Sequence, residues 1–220
     1  MFAVELISNH IPPLRTSDTV GKALERMNEF KVYHLPIVVK EQYLGLVSEE
    51  ELMAERNLGT TVGTLPLTLL NAFTFEKAHV YEVVKLFSEL KLSVVPVLDT
   101  KKNYLGLISI NGLLKYTANL YAVNEVGGII VLSISNRNNS LAHMAQIVEA
   151  DNAQILSSYV SASPNSTELE VTLKINRTDL SSIVASFERY EYDVKAVFSN
   201  LDSSDDSMDR YNSFMNYLNV

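Results

Sequence analysis

Apolar positions fall at helical spacing twice in the first half of the chain. Val20, Ala23, Leu24, Met27 and Phe30 mark one helix face at the i, i+3, i+4, i+7 spacing. Val80, Val83, Val84, Phe87 and Leu90 repeat that stripe at an offset of 60. Each stripe leads into an apolar run that contains a proline, Leu35-Pro36-Ile37-Val38-Val39 and Val94-Val95-Pro96-Val97-Leu98. At an offset of 61, Tyr43-Leu44-Gly45-Leu46-Val47-Ser48 then matches Tyr104-Leu105-Gly106-Leu107-Ile108-Ser109. Short helical patterns over 49–56 and 111–118 close the copies. Each copy therefore predicts a helix, a strand covered on both faces, a tight turn, a second strand and a short helix. One copy has too few elements to bury its own sheet; two packed about a pseudo-twofold axis do so.

The rhythm changes from about Val126. The pattern predicts a strand over 128–135, a polar turn over 136–140 and a helix carrying Leu141, Met144, Ile147 and Val148. A strand over 155–161 and a turn over 163–167 follow. The alternation of Leu169, Val171, Leu173 and Ile175 then marks a half-buried antiparallel strand over 168–175. Leu180, Ile183, Val184 and Phe187 predict a second helix behind an N-cap at Thr178 or Asp179, and 194–198 a closing strand. The order βαββαβ is the split, ferredoxin-like plan. Residues 199–206 read as a solvated linker, and Tyr211, Phe214, Met215 and Leu218 as an amphipathic helix that packs within a homodimer. The fold class is α+β, with repeats at 1–60 and 61–122, a further domain at 126–199, and a linker with a short helix at 200–220.

Composition narrows the chemistry. The hydrophobic fraction of 47% supports buried cores, and 18 basic against 26 acidic residues give a net charge of −8. Basic residues spread that thinly argue against nucleic acid, whose phosphates need clustered Lys and Arg. The absence of cysteine excludes disulfides, thiolate zinc sites and cysteine nucleophiles. His10, His34, His79 and His143 lie too far apart in sequence to form a metal motif, and Glu49, Glu50 and Glu51 point in different directions on a helix, so no metal site is expected. The first residues lack a basic leader, and no apolar run approaches ~20 residues, so a cytoplasmic protein without a membrane span is expected. No nucleophile elbow or phosphate-cradling glycine loop occurs, which points away from an enzyme.

The order apolar-Pro-apolar, Gly-apolar-apolar-Ser, carried in both copies, resembles a tandem pair of CBS domains, the Bateman module, over about residues 1–120. That resemblance implies an adenine nucleotide (AMP, ATP or S-adenosylmethionine) in clefts between the copies. It implies that Ser48 and Ser109 approach a phosphate. Glu51 stands where the family has an Asp for the ribose. Backbone near Pro36 and Pro96 and at the repeat starts, Ile11 and Leu67, would flank the adenine. Gly112 takes the Asp position in the second copy and has no side chain to accept with. Ser48-x-x-Glu51 is equally a capping box, and both readings stand; Lys101 and Lys102 precede the second motif, which has fewer carboxylates beside it.

Residues 126–199 resemble an ACT domain, whose turn Asp-x-Pro-Gly-x-Leu reads here Asn136-Arg137-Asn138-Asn139-Ser140-Leu141. Asn139 replaces the glycine that lets a ligand come close, which favours a dimerisation or coupling unit over an amino-acid site. The whole chain resembles the bacterial acetoin-utilisation-type CBS–ACT regulators. What this implies is a regulatory ligand sensor, with nucleotide between the CBS repeats coupled to an ACT-like homodimer and to a partner enzyme. The alternatives are a ligand-free structural or protein-interaction homodimer, and an amino-acid sensor acting through the ACT-like interface.

Overall fold

Both helical stripes become helices that start and stop alike. In chain order the first half forms α1 (Val20–Phe30), β1 (His34–Val39), β2 (Gln42–Ser48), α2 (Glu49–Ala54), β3 (Thr74–Phe75), α3 (Val80–Leu90), β4 (Val94–Leu98), β5 (Tyr104–Ser109) and α4 (Ile110–Leu120). Single 3₁₀ turns sit at Ala3–Leu6 and Val62–Thr64. Thr19 caps α1 by accepting from the Lys22 N–H, and His79 caps α3 by accepting from the Tyr81 N–H. Both helices end on a lysine in the left-handed region, Lys31 at φ 54° and Lys91 at φ 50°. The structure, a computed structural model, describes residues 1–8, 10–134, 140–162 and 169–199. It divides into two units, Met1–Tyr116 and Thr117–Val220.

Within the first unit each hairpin is antiparallel and in the same register, Pro36 opposite Leu46 and Pro96 opposite Leu107. A short leading strand lies parallel to the proline strand in each repeat, through Leu14 beside Ile37 and through β3 beside β4. The Leu14 N–H donates to the Pro36 carbonyl, and the Val38 N–H donates to the Leu14 carbonyl. Pro36 has no N–H to extend that ladder toward Pro12 and Pro13, so the leading strand parts from β1 there.

The repeats exchange the segments that precede these strands. The Ser8 N–H donates to the Leu107 carbonyl, so the N-terminal segment closes the second repeat's sheet. The Leu46 N–H donates to the Leu69 carbonyl, so the segment between the repeats closes the first. One apolar cluster, including Leu14, Met27, Leu35, Ile37, Leu46, Phe87, Val95 and Leu107, serves both repeats.

Boundaries shift modestly from the sequence pattern. The short helices cover Glu49–Ala54 and Ile110–Leu120. On α3 only Val80, Val83 and Phe87 are buried, and Val84 and Leu90 are 44% and 42% exposed. Val84 sits about 100° around the helix from Val83, beyond the narrow line that meets the core.

The second unit forms β6 (Gly128–Ile134), α5 (Leu141–Ala150), β7 (Ile155–Ala162), β8 (Leu169–Ile175), α6 (Ser181–Arg189) and β9 (Asp193–Phe198). Its sheet runs β7-β8-β6-β9 with every pair antiparallel, which is the split βαββαβ arrangement. Ile130, Leu132 and Ile134 join Val171, Leu173 and Ile175 under Met144, Ile147 and Val148 of α5 and Ile183 and Phe187 of α6. The N-cap of α6 is Leu180 and neither Thr178 nor Asp179, the two residues expected in that place; Asp179 instead accepts from the Ser181 N–H at 3.1 Å. The turn residues Asn136, Asn138 and Asn139, and the stripe Tyr211 to Leu218, lie outside the described residues.

Candidate functional site

The two Gly-x-x-Ser segments end their strands at the N-termini of α2 and α4. Ser48 is the N-cap of α2: its Oγ accepts from the Glu51 N–H at 3.2 Å, and the Glu51 carboxylate accepts from the Ser48 N–H at 2.8 Å. That is the reciprocal capping box. In the second repeat the Ser109 Oγ accepts from the Gly112 N–H at 3.1 Å, and Gly112 returns nothing.

Glu51 is committed on both oxygens. Oε2 also accepts from the Ser48 hydroxyl at 3.1 Å, and Oε1 accepts from the Thr68 N–H at 3.1 Å and the Thr68 hydroxyl at 2.7 Å. Burial by itself would raise this carboxyl, but the bonds from Ser48 and Thr68 outweigh it and hold the group below its ordinary value. Glu51 thus pins the exchanged segment 65–70 onto the first repeat. Gly45 completes the seat, because a Cβ there would lie 2.8 Å from Leu67 Cδ1. Leu67 is therefore packed over the first motif, while Ile11 is buried in the cluster that serves both repeats.

A contact that sequence reasoning missed joins the two turns. The Tyr33 N–H donates to the Ser93 hydroxyl at 2.9 Å, and His34 Nδ1 lies 3.2 Å from the same Oγ. The Ser93 N–H donates to His34 Nδ1 at 3.3 Å, so that nitrogen is an acceptor and the ring proton sits on Nε2. Burial lowers the His34 imidazole from its ordinary value, with Glu51 and Glu50 pulling the other way. The Tyr33 carbonyl accepts from the Glu49 N–H, and the Ser93 carbonyl accepts from the Ile110 N–H. One hydrogen-bonded chain thus runs from the start of α2 through Tyr33 and Ser93 to the start of α4. The only sequence signal was a serine immediately ahead of an apolar strand, which the structure shows to be buried.

Tyr43 and Tyr104, equivalent in the two hairpins, are raised well above the ordinary tyrosine value by burial. Among the described residues no group of three His, Cys, Asp or Glu side chains is placed to hold a metal ion. No helix among them is long and apolar enough to cross a membrane.

Residues 3–57 and 73–119 match the CBS domain family. Among solved structures the chain is similar to a CBS domain pair/ACT domain protein from Thermotoga maritima, with 22% identity and a TM-score of 0.49, covering 53% of this chain and 96% of that one. It is also similar to a protein attributed to acetoin utilization (AcuB) from Vibrio cholerae, with 20% identity and a TM-score of 0.48, covering 56% and 95%. A third, CBSX2 in complex with AMP, has 21% identity and a TM-score of 0.46, covering 53% and 95%; the AMP is that protein's ligand. The two matched stretches fall within the two repeats read from the sequence, and residues 3–57 and 73–119 of this chain are a tandem pair of CBS domains.

Proposed function

We propose that the CBS pair is a regulatory sensor of an adenine nucleotide, AMP, ATP or S-adenosylmethionine, bound between the repeats and coupled to a homodimer through the βαββαβ domain. The observation that carries this reading is the hydrogen-bonded chain linking the two serine turns through Tyr33 and Ser93. A ligand that draws one turn toward it displaces the other, which a sensor requires: two states that the ligand binds unequally. The Ser109 turn is the favoured phosphate end, because it carries no carboxylate, whereas the Ser48 turn is flanked by Glu49, Glu50 and Glu51. Ser109, Pro36 and Ile11 then belong to the favoured cleft. Ser48, Glu51, Pro96 and Leu67 form its counterpart. The continuous helix α4 begins at Ile110, directly after Ser109, and runs past Tyr116, the last residue of the first unit, which gives the signal a covalent path.

Isothermal titration of the full chain with AMP, ATP and S-adenosylmethionine tests the proposal. A saturable heat with any of them supports it. No heat and no thermal shift at millimolar ligand overturns it. The full engagement of Glu51 by Ser48 and Thr68 favours a second reading, a protein-interaction homodimer without ligand. That reading predicts the null titration and an unchanged partner complex when nucleotide is added.

A further inference from the structure

A groove of about 750 Å³ opens in the first repeat between α1 and the end of β1 that lies away from Ser48. Its walls carry Arg15, Lys22, Arg26 and Lys40 against one carboxylate, Asp18. None of Ser48, Glu51, Ser109, Pro36 or Ile11 lines it. A net positive groove in a chain of net charge −8 needs a reason, since self-repulsion among cations opposes their gathering.

Asp18 organises the cluster. Its side chain is 7% exposed; Oδ1 accepts from Lys22 Nζ at 2.7 Å and Oδ2 lies 3.6 Å from Arg26 Nη1. Oδ2 also accepts from the Arg15 N–H at 2.9 Å, and Arg26 Nη1 donates to the Pro13 carbonyl at 2.8 Å. The loop carrying these groups is fixed from the far side: the Gly63 N–H donates to the Thr16 carbonyl and the Val62 N–H to the Asp18 carbonyl. Gly63 is required there, because a Cβ would lie 2.6 Å from Thr16 Cβ and 2.9 Å from its carbonyl oxygen. One buried carboxylate thus holds two cations in place, and Arg15 and Lys40 have exposed side chains on the same groove.

The second repeat shows that the fold does not need this arrangement. At an offset of 60, Arg15, Asp18, Lys22 and Arg26 become Phe75, Ala78, Glu82 and Leu86, and Lys40 becomes Thr100. The same helix and hairpin form with none of the four cations and without the acid. The cluster is an addition to the first repeat, not part of the scaffold.

We propose that this groove is an anion site for a small ligand bearing two or more phosphate groups. The volume lies in the range of small-molecule pockets. Arg15 and Arg26 offer planar donors suited to phosphate oxygens, Lys22 and Lys40 mobile charge, and Thr16 and Ser17 line the groove with hydroxyls. The site is independent of the inter-repeat clefts, so a probe without adenine separates the two.

Sodium tripolyphosphate titrated into the full chain at low ionic strength, followed by calorimetry, provides the test. One saturable site is expected. The double variant Arg15→Ala/Lys40→Ala, which removes two exposed side chains and leaves the Asp18 contacts intact, weakens it at least tenfold. Lys85→Ala/Lys115→Ala removes the same charge from exposed helix positions of the second repeat and leaves binding unchanged. No heat at millimolar tripolyphosphate overturns the proposal. Equal weakening by the two double variants also overturns it, by reducing the effect to overall charge. Thermal unfolding of each variant is measured alongside, and a midpoint matching the parent ties any lost binding to the groove.

Discussion

Replacing Glu51 by Ala separates a strut from a ligand group. The carboxylate accepts four hydrogen bonds, two from Ser48 and two from Thr68. Loss of the reciprocal cap at α2 costs about 1 kcal/mol. The Thr68 bonds are charge-assisted but face solvent, so together they contribute about 0.5–1 kcal/mol. Removing a negative charge from the first turn of α2 adds about 0.3 kcal/mol through the helix dipole. The expected total is about 2 kcal/mol, a drop of roughly 6–10 °C in the midpoint of the first unit. Glu51→Gln keeps one acceptor oxygen and must turn an NH₂ toward either Ser48 or Thr68, so its loss is intermediate.

Scanning calorimetry and urea unfolding of the full chain measure this series. The pH dependence supplies a second reading. The folded carboxyl titrates below its ordinary value of 4.5, so its stabilisation is fully present above that pH and is lost as pH falls through the lower, folded value. Glu51→Ala lacks that portion of the acid limb. If Glu51→Ala unfolds within about 0.3 kcal/mol of the parent, close to the scatter of independent sites, the strut assignment is wrong and the carboxylate is free for a ligand.

Four further outcomes follow from the same structure. His34 is held neutral with Nδ1 accepting from Ser93, and its folded pKa lies below 6.5; stability is therefore flat above that pH and falls as pH drops below it toward the folded value. His34→Gln removes this limb in pH-dependent melting, and an unchanged limb refutes the assignment. Thr74 Oγ1 is buried with no hydrogen-bond partner among the described residues, where the first repeat has Leu14, so Thr74→Val raises stability by about 1 kcal/mol; a loss of stability in urea would show a hidden partner. Gly127 has φ 153°, and a Cβ there collides with the Ile175 carbonyl oxygen, so Gly127→Ala costs about 2 kcal/mol or more in the second unit and leaves tyrosine exchange in the first unit unchanged by NMR. Phe187→Ala empties the largest fully buried side chain and costs about 3–5 kcal/mol, seen as loss of the second unit's cooperative transition.

The repeat was legible because it is written locally. A helix stripe, a proline strand and a Gly-x-x-Ser turn each occupy fewer than a dozen residues, and their offsets of 60 and 61 need only counting. The βαββαβ order was legible for the same reason, since Leu169 to Ile175 alternate strictly and both helices carry apolar stripes. The leading strands were not. Leu14 contributes a single bridge and β3 two residues, too short for any period to show. The Glu51–Thr68 and His34–Ser93 pairs lie 17 and 59 residues apart and join polar side chains, which carry no periodic signal.

The exchange of leading segments gives those missed pairs their meaning. Each repeat's sheet is closed by chain that precedes the other: residue 8 on β5, residue 69 on β2. A repeat excised at residue 60 would keep the N-terminal segment it does not use and lose the one it does. Glu51 would then lose Thr68, Gly45 would lose the leucine it makes room for, and Asp18 and Thr16 would lose the backbone donors of Val62 and Gly63. The first motif and the cationic groove therefore depend on the same stretch, 61–70, at its two ends. Val62 and Gly63 back the loop that lines the groove, and Leu67 and Thr68 pack on the first motif. The groove and the first motif share no residue; they share the strap that holds the first repeat shut.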